Sequence, residues 1–173
     1  KHPVRAGVFA MAQYSQTTQL KANGTPQLDF ELNPRNFRDA FTNAQRSAAV
    51  SQLAIDSILA QLSPTVEKAY DSEPSLRWRL AFSLNYGRLL AQKVRALEYN
   101  TALATLKGSF TEQDINTTVN RITMKPDREV TYAVALKKPA KIAQEHLERV
   151  IAEAPGTPWA LMAARELKDG FGV

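Results

Sequence analysis

The sequence predicts a mainly α-helical protein: a single helical-bundle domain with a long central helix, a small irregular or hairpin flap and a C-terminal helical hairpin. Apolar residues recur at steps of three and four over several long stretches, strand-like alternation is short, and prolines and glycines fall between the periodic stretches. A chain of 173 residues, with 44% hydrophobic and 23% charged residues, has the balance of one ordinary globular domain.

The N-terminal part of the chain fits more than one structure. Residues 7–20 suit either a helix or an extended segment, and the Asn-Gly-Thr-Pro run at 23–26 predicts a turn after them. Residues 27–32 alternate apolar and polar side chains like a short strand. The chain begins Lys-His-Pro-Val without an initiator Met, so we expect an excised domain or a processed product.

The first clear helix is predicted to begin at Asn33 and Pro34, because asparagine is a good N-cap and proline suits the first helical position. Its apolar residues repeat about every 3.5 positions, which is typical of a helix packed along a neighbour. This seam consists of Phe37, Phe41, Ala44, Ala48, Ser51, Ile55, Ile58 and Leu62. Ser63 and Pro64 end it, and residues 64–70 are predicted to form a further short helix.

A long helix is predicted from the Ser-Glu-Pro run at 72–74 to about Lys107, with Gly108 ending it. Apolar residues cover more than half of its circumference, so we expect it to be the central helix, contacted from several sides. They are Leu76, Leu80, Leu84, Leu90, Val94 and Leu97, with Trp78, Phe82 and Tyr86 on an adjoining flank. Gly87 in its middle predicts the close approach of a neighbouring backbone.

The last third of the chain is predicted to contain a flap and two helices. Residues 109–136 lack regular periodicity, and a small hairpin or an extended flap is expected around the turn at 125–128. One helix is predicted over 139–153 and a second from Pro158, with Thr157 as its cap. Together they resemble one helical hairpin of the tetratricopeptide type. No further copy occurs at a period of about 34 residues, so a solenoid is not predicted.

Motifs for catalysis are missing from the sequence. It contains no cysteine, no Gly-x-Ser-x-Gly elbow and no glycine-rich phosphate loop. The two histidines are His2 and His146, and neither has a carboxylate or histidine at metal-binding spacing. We therefore expect a protein that is not an enzyme, with no cofactor and no metal.

The charge and hydropathy of the chain limit the classes of partner that we expect. A net charge of +5 allows anionic partners, but acidic residues interrupt the basic ones, so nucleic acid binding is not expected. No apolar run approaches the roughly 20 residues that cross a bilayer, so no transmembrane segment is predicted.

A polar stripe on the long helix is the candidate binding face. Arg88, Gln92, Arg95 and Tyr99 recur at helical spacing, and arginine forks suit carboxylate or phosphate groups. The alternative is that these arginines stabilise the fold, with Arg95 pairing with Glu98 or capping a neighbouring loop. The sequence leaves both interpretations open.

Three stretches resemble a known family: LDFELNPRNFRDAFTNAQR at 28–46, RWRLAFSLNYGRLLAQKVRALEYNTALATLKG at 77–108, and HLERVIAEAPGTPWALMAARELK at 146–168. They are similar to the C-terminal helical region of large bacterial, planctomycete-type proteins that carry a von Willebrand factor type A domain. The resemblance covers residues 28–172 in the same order. Its most specific parts are the Gly-Arg…Lys-Val-Arg…Tyr-Asn run and the Pro-Gly-Thr-Pro-Trp-Ala turn.

The resemblance implies a type A domain upstream, with residues 1–27 as its tail or a linker and residues 28–173 as the helical domain. The metal-binding Asp-x-Ser-x-Ser motif of type A domains is absent from this chain, so no metal role is implied. The family suggests a periplasmic, envelope-associated or exported protein, with a cytoplasmic location as the alternative. We expect protein–protein interaction or scaffolding through the polar stripe and a groove beside Trp159. The alternative is binding of an anionic small molecule or acidic polysaccharide through the arginines.

Overall fold

The computed structural model of the chain describes residues 2–17, 26–62, 66, 68–115 and 119–173. These residues form five α-helices and one two-stranded sheet, so the predicted mainly α-helical fold is confirmed. In chain order the elements are α1 (Pro3–Thr17), β1 (Asp29–Glu31), α2 (Phe37–Gln61), α3 (Leu76–Ser109), β2 (Arg121–Thr123), α4 (Lys137–Glu153) and α5 (Pro158–Asp169). A short 3-10 helix, Val134–Leu136, leads directly into α4.

Helix α3 is the centre of the bundle, as predicted. It packs against α1, α2, α4 and α5, and apolar residues from its whole length enter the three clusters of the core. A helix that is apolar on most sides is stable only when neighbours cover it, which accounts for the four contacts. Two residues of the predicted core are exceptions: Leu76, at the start of the helix, is 44% exposed, and Leu97 is half-buried and belongs to none of the three clusters.

Helix α2 carries the predicted seam but begins three residues later than predicted. The side chain of Asn33 accepts a hydrogen bond from the Arg35 amide at 3.0 Å, so Asn33 caps a turn, and Asn36 precedes the helix. The apolar seam residues are buried towards the core at both ends of α2, and the small ones in the middle are half-buried. Residues 64, 65 and 67 of the short helix predicted for residues 64–70 lie outside the described residues.

The ambiguous N-terminal segment is helical as far as Thr17, and its residues 18–20 lie outside the described residues. Val4, Val8 and Met11 on α1 are buried in a cluster that also contains residues of α2 and α3. Arg5 donates two hydrogen bonds to the buried carboxylate of Glu73, at 2.8 and 3.0 Å. The upstream domain and the division at residue 27 stay predictions, but α1 packs as part of the helical body.

The flap at residues 109–136 is irregular, and no hairpin closes around the turn at 125–128. Strand β2 pairs instead with β1 in an antiparallel register that sets Phe30 opposite Ile122. Asp127 forms a backbone bridge with Gly172, through hydrogen bonds of 3.0 and 2.8 Å. Of the two expected forms, the extended flap is the one observed. A local hairpin does not form, because both partners of this segment lie far away in the sequence.

Helices α4 and α5 form the predicted helical hairpin. Thr157 caps α5 by accepting a hydrogen bond from the Ala160 amide at 3.3 Å, and Pro158 takes the first helical position. Gly87 allows α4 to approach α3, since a Cβ there would lie 3.0 Å from Leu147 Cγ and 3.2 Å from the carbonyl oxygen of Ala143. The predicted close approach at Gly87 is confirmed.

Candidate functional site

The two arginines of the polar stripe converge on one carboxylate of α5. Arg88 donates from Nε to Glu166 Oε1 at 3.0 Å, and Arg95 donates from Nη1 to Glu166 Oε2 at 2.8 Å. Glu166 keeps only 15% of its side-chain surface exposed. We call Arg88, Arg95 and Glu166 the Glu166 cluster. It joins α3 to α5 through charge-assisted hydrogen bonds, which are stronger than neutral ones.

Arg95 also caps the C-terminal end of α5. Its Nη2 donates to the Glu166 carbonyl at 3.0 Å, and its Nε donates to the Gly170 carbonyl at 2.9 Å. The guanidinium carbon lies 5.4 Å from the centre of the Phe171 ring. A cation at this end of a helix is favoured because the last carbonyl groups lack partners within the helix. All three guanidinium nitrogens of Arg95 are therefore engaged within the chain.

The pKa of Glu166 reflects two opposing effects. Burial favours the neutral acid and raises the pKa, whereas the hydrogen bonds and positive charges of Arg95 and Arg88 favour the carboxylate. The arginines prevail, and the pKa of Glu166 lies below its ordinary value. The carboxylate is thus held in its charged form by the two residues that it binds.

Two structural roles were expected for Arg95: the cap on a neighbouring segment is observed, whereas the pair with Glu98 is not. The fully buried carboxylate of Glu98 accepts backbone hydrogen bonds from Thr131, Tyr132 and Ala133, at 2.6, 2.9 and 2.7 Å. Three amide donors satisfy a buried carboxylate without a cation. Sequence reasoning missed this role, although an acidic residue beside the apolar face of a central helix was a signal. Glu98 fixes the flap segment 131–133 to α3.

Tyr99 and Gln92 complete the stripe. Tyr99 is buried, and its hydroxyl donates to the carbonyl of Gln27 at 2.6 Å, which ties the residues before β1 to α3. Burial raises the pKa of Tyr99 to about 12, so the hydroxyl stays a neutral donor at physiological pH. Gln92 is half-buried on the same side of α3. The binding role of the stripe stays a prediction, and three of its four members already contribute contacts within the fold.

The second predicted surface lies on α5. Trp159 is half-buried against the core cluster shared by α3, α4 and α5. Leu161 is 73% exposed and Met162 is 40% exposed, whereas Ala160 and Ala163 are buried on the inner side of the helix. We call Leu161, Met162 and the exposed Arg165 the outer face of α5. It places two large apolar side chains in solvent close to Trp159 in the sequence.

His146 lies among aromatic rings. Its Nδ1 is 3.2 Å from Ser83 Oγ, and Ser83 in turn donates to the hydroxyl of Tyr70 at 3.1 Å. The rings of Phe82 and Tyr86 pack around the imidazole, with centroids 6.1 and 5.1 Å away. Ser83 is fully buried. This arrangement fits a packed histidine on the α3–α4 contact.

Within the described ranges, no group of three or more histidine, aspartate or glutamate side chains could hold a metal ion. Among the same residues, no helix is both long and apolar enough to cross a lipid bilayer. The chain matches no protein-family model, no curated protein and no solved structure.

Proposed function

We propose that the chain is a non-enzymatic protein–protein interaction or scaffolding domain. The observation that carries the proposal is the outer face of α5, where Leu161 and Met162 stand in solvent on a helix that is well packed on its other side. Exposed apolar surface is a feature of interaction sites, and methionine is enriched at protein interfaces.

The helical hairpin supports this proposal. Alanines 160 and 163 allow α5 to lie close to α3 and α4, and the outer face faces away from them. In tetratricopeptide-like arrays, each helical hairpin buries its remaining apolar face against a neighbouring unit. We infer that the α4–α5 hairpin presents the outer face of α5 to a protein partner in the same way.

The polar stripe is less suited to binding. An acidic partner at Arg95 would compete with the Glu166 carboxylate and with two carbonyl groups of α5. Displacing these groups would deprive the half-buried Glu166 carboxylate of its ion pair with Arg95. An interaction surface on α5 needs no such rearrangement, because its side chains already face solvent.

The resemblance of residues 28–172 to the helical region of type A domain proteins gives the proposal its setting. It supports a domain that lies beside a type A domain in a bacterial envelope-associated or exported protein. In that setting the outer face of α5 would contact another domain of the same assembly.

The test is capture of a partner from an envelope extract, followed by purification of that partner and measurement of Kd. We expect Leu161→Glu/Met162→Glu to weaken binding at least about tenfold, since an apolar interface would have to accept two charges. Val50→Glu/Leu53→Glu on α2 is the matched control, because these side chains are 59% and 71% exposed. Circular dichroism and thermal melting verify that both variants fold. Loss of binding in the α2 variant alone, or equal binding by all three proteins, would reject the outer face of α5.

A further inference from the structure

An open cleft lies between the flap and α4. Its volume is about 350 Å³, a size suited to a small organic molecule. One wall is residues 128–130, and the other is the side of α4 that carries Lys137, Ala140, Lys141 and Gln144. These four positions recur at helical spacing, so the second wall is one face of one helix.

The polar lining of the cleft is mainly cationic. Arg128, Lys137 and Lys141 line it together with a single acidic residue, Glu129. Arg128 and Lys137 form no ion pair with the described residues, and Lys141 has only an exposed contact of 4.0 Å with Glu145. Exposed pairs of this kind contribute little, so the cations remain available to a ligand.

The floor of the cleft is apolar. Val130 and Phe171 line it, and each is only 6% exposed because the rest of its surface is packed in the core. A ligand that fits this cleft would place charged groups against the cations and an apolar part against Val130 and Phe171.

The flap wall is held in place from both of its ends. Asp127 is fixed by its backbone bridge to Gly172, and residues 131–133 are fixed by their three hydrogen bonds to the buried Glu98. Arg128, Glu129 and Val130 lie between these two anchors. A wall that is already ordered loses little conformational freedom when a ligand binds, which favours affinity.

We propose that this cleft binds a small organic anion, in which a phosphate or carboxylate group is attached to an apolar part of about one ring. Lys137 and Lys141 contact the charged group from α4, and Arg128 contacts it from the flap. The apolar part lies on Phe171 and Val130. This site is separate from the outer face of α5 and does not depend on the protein-interaction proposal.

The experiment compares three probes by nuclear magnetic resonance titration of the full chain. They are phenyl phosphate, inorganic phosphate without the ring, and benzyl alcohol without the charge. We expect phenyl phosphate to bind most tightly and to shift the backbone amide signals of residues 128–130, 140 and 171. Added salt should weaken its binding, because exposed charges are screened.

Two variants locate the binding. Lys137→Gln/Lys141→Gln should weaken phenyl phosphate binding about tenfold, as expected for the loss of two charged contacts. Lys138→Gln is the control, since this exposed lysine adjoins Lys137 but does not line the cleft. The proposal is rejected by equal weakening in both variants, by shifts spread over the whole surface, or by equal binding of the three probes.

Discussion

Two groups of cations meet at Phe171 and behave differently. In the Glu166 cluster, Arg88 and Arg95 are partly buried and bound to one carboxylate. In the cleft, Arg128, Lys137 and Lys141 stay exposed. Among the described residues, their one ion pair is the weak contact between Lys141 and Glu145. The comparison teaches that a basic residue becomes structural when folding brings a carboxylate to it. Charge spacing along one helix does not reveal this.

Arg95→Ala should have the largest effect of the changes that test this comparison. It removes the ion pair to Glu166, two caps on α5 and the contact with Phe171, and it leaves Glu166 with Arg88 alone. We expect the free energy of unfolding to fall by about 2–3 kcal/mol. Urea denaturation measures it, with the exposed Arg77→Ala on the same helix as control. A loss no larger than that of Arg77→Ala would contradict a structural role.

Glu166→Gln should have an intermediate effect that depends on pH. At neutral pH we expect a loss of about 1–2 kcal/mol, because hydrogen bonds to charged groups are stronger than those to neutral ones. The folded pKa of Glu166 is lowered, so its contribution is complete above the unfolded pKa of 4.5 and is lost as pH falls through the folded pKa.

The difference in unfolding free energy between wild type and Glu166→Gln should therefore shrink as pH falls below 4.5. Taking the difference cancels the carboxylates that the two proteins share. Glu145→Gln, at an exposed pair, is the control and should show almost no change. A difference that stays constant down to strongly acid pH would mean that the charge of Glu166 does not stabilise the fold.

Lys137→Gln/Lys141→Gln should have the smallest effect on stability. Their side chains are exposed and make no strong internal pair, so the free energy of unfolding should change by less than about 0.5 kcal/mol. Thermal melting of this variant and of Arg95→Ala under the same conditions compares the two losses of stability directly. A loss comparable to that of Arg95→Ala would show that the cleft lysines are structural and would remove the distinction between the two groups.

Much of the fold could be predicted from local patterns. The seam of α2, the central position of α3, the Thr157 cap and the close contact at Gly87 all follow from helical spacing or from the chemistry of one residue. These features depend on neighbours within a few positions, which a linear sequence displays. The start of α2 was misplaced because Asn33 can cap a turn as well as a helix.

The candidate sites could be predicted only in part. The spacing of the stripe placed Arg88 and Arg95 on one side of α3, but not opposite Glu166, which is 71 residues from Arg95. The pairing of β1 with β2 joins residues up to 94 positions apart, and the cleft combines the flap, α4 and Phe171. None of these contacts leaves a periodic signal in the sequence.

The sequence by itself determined where helices α2 to α5 lie, to within a few residues, and which of their faces are apolar, because both depend on local propensity and a repeat of about 3.6 residues. The helical state of α1 was decided only by packing. Tertiary structure decided which charges are paired, which are exposed, and where the flap is anchored. Glu98 could hold residues 131–133 and Glu166 could bind two arginines only after packing brought distant segments together and excluded water from them. The burial of a charged side chain and the identity of its ion-pair partner are properties of the packed chain. These two properties distinguish an arginine that stabilises the fold from one that is available for binding.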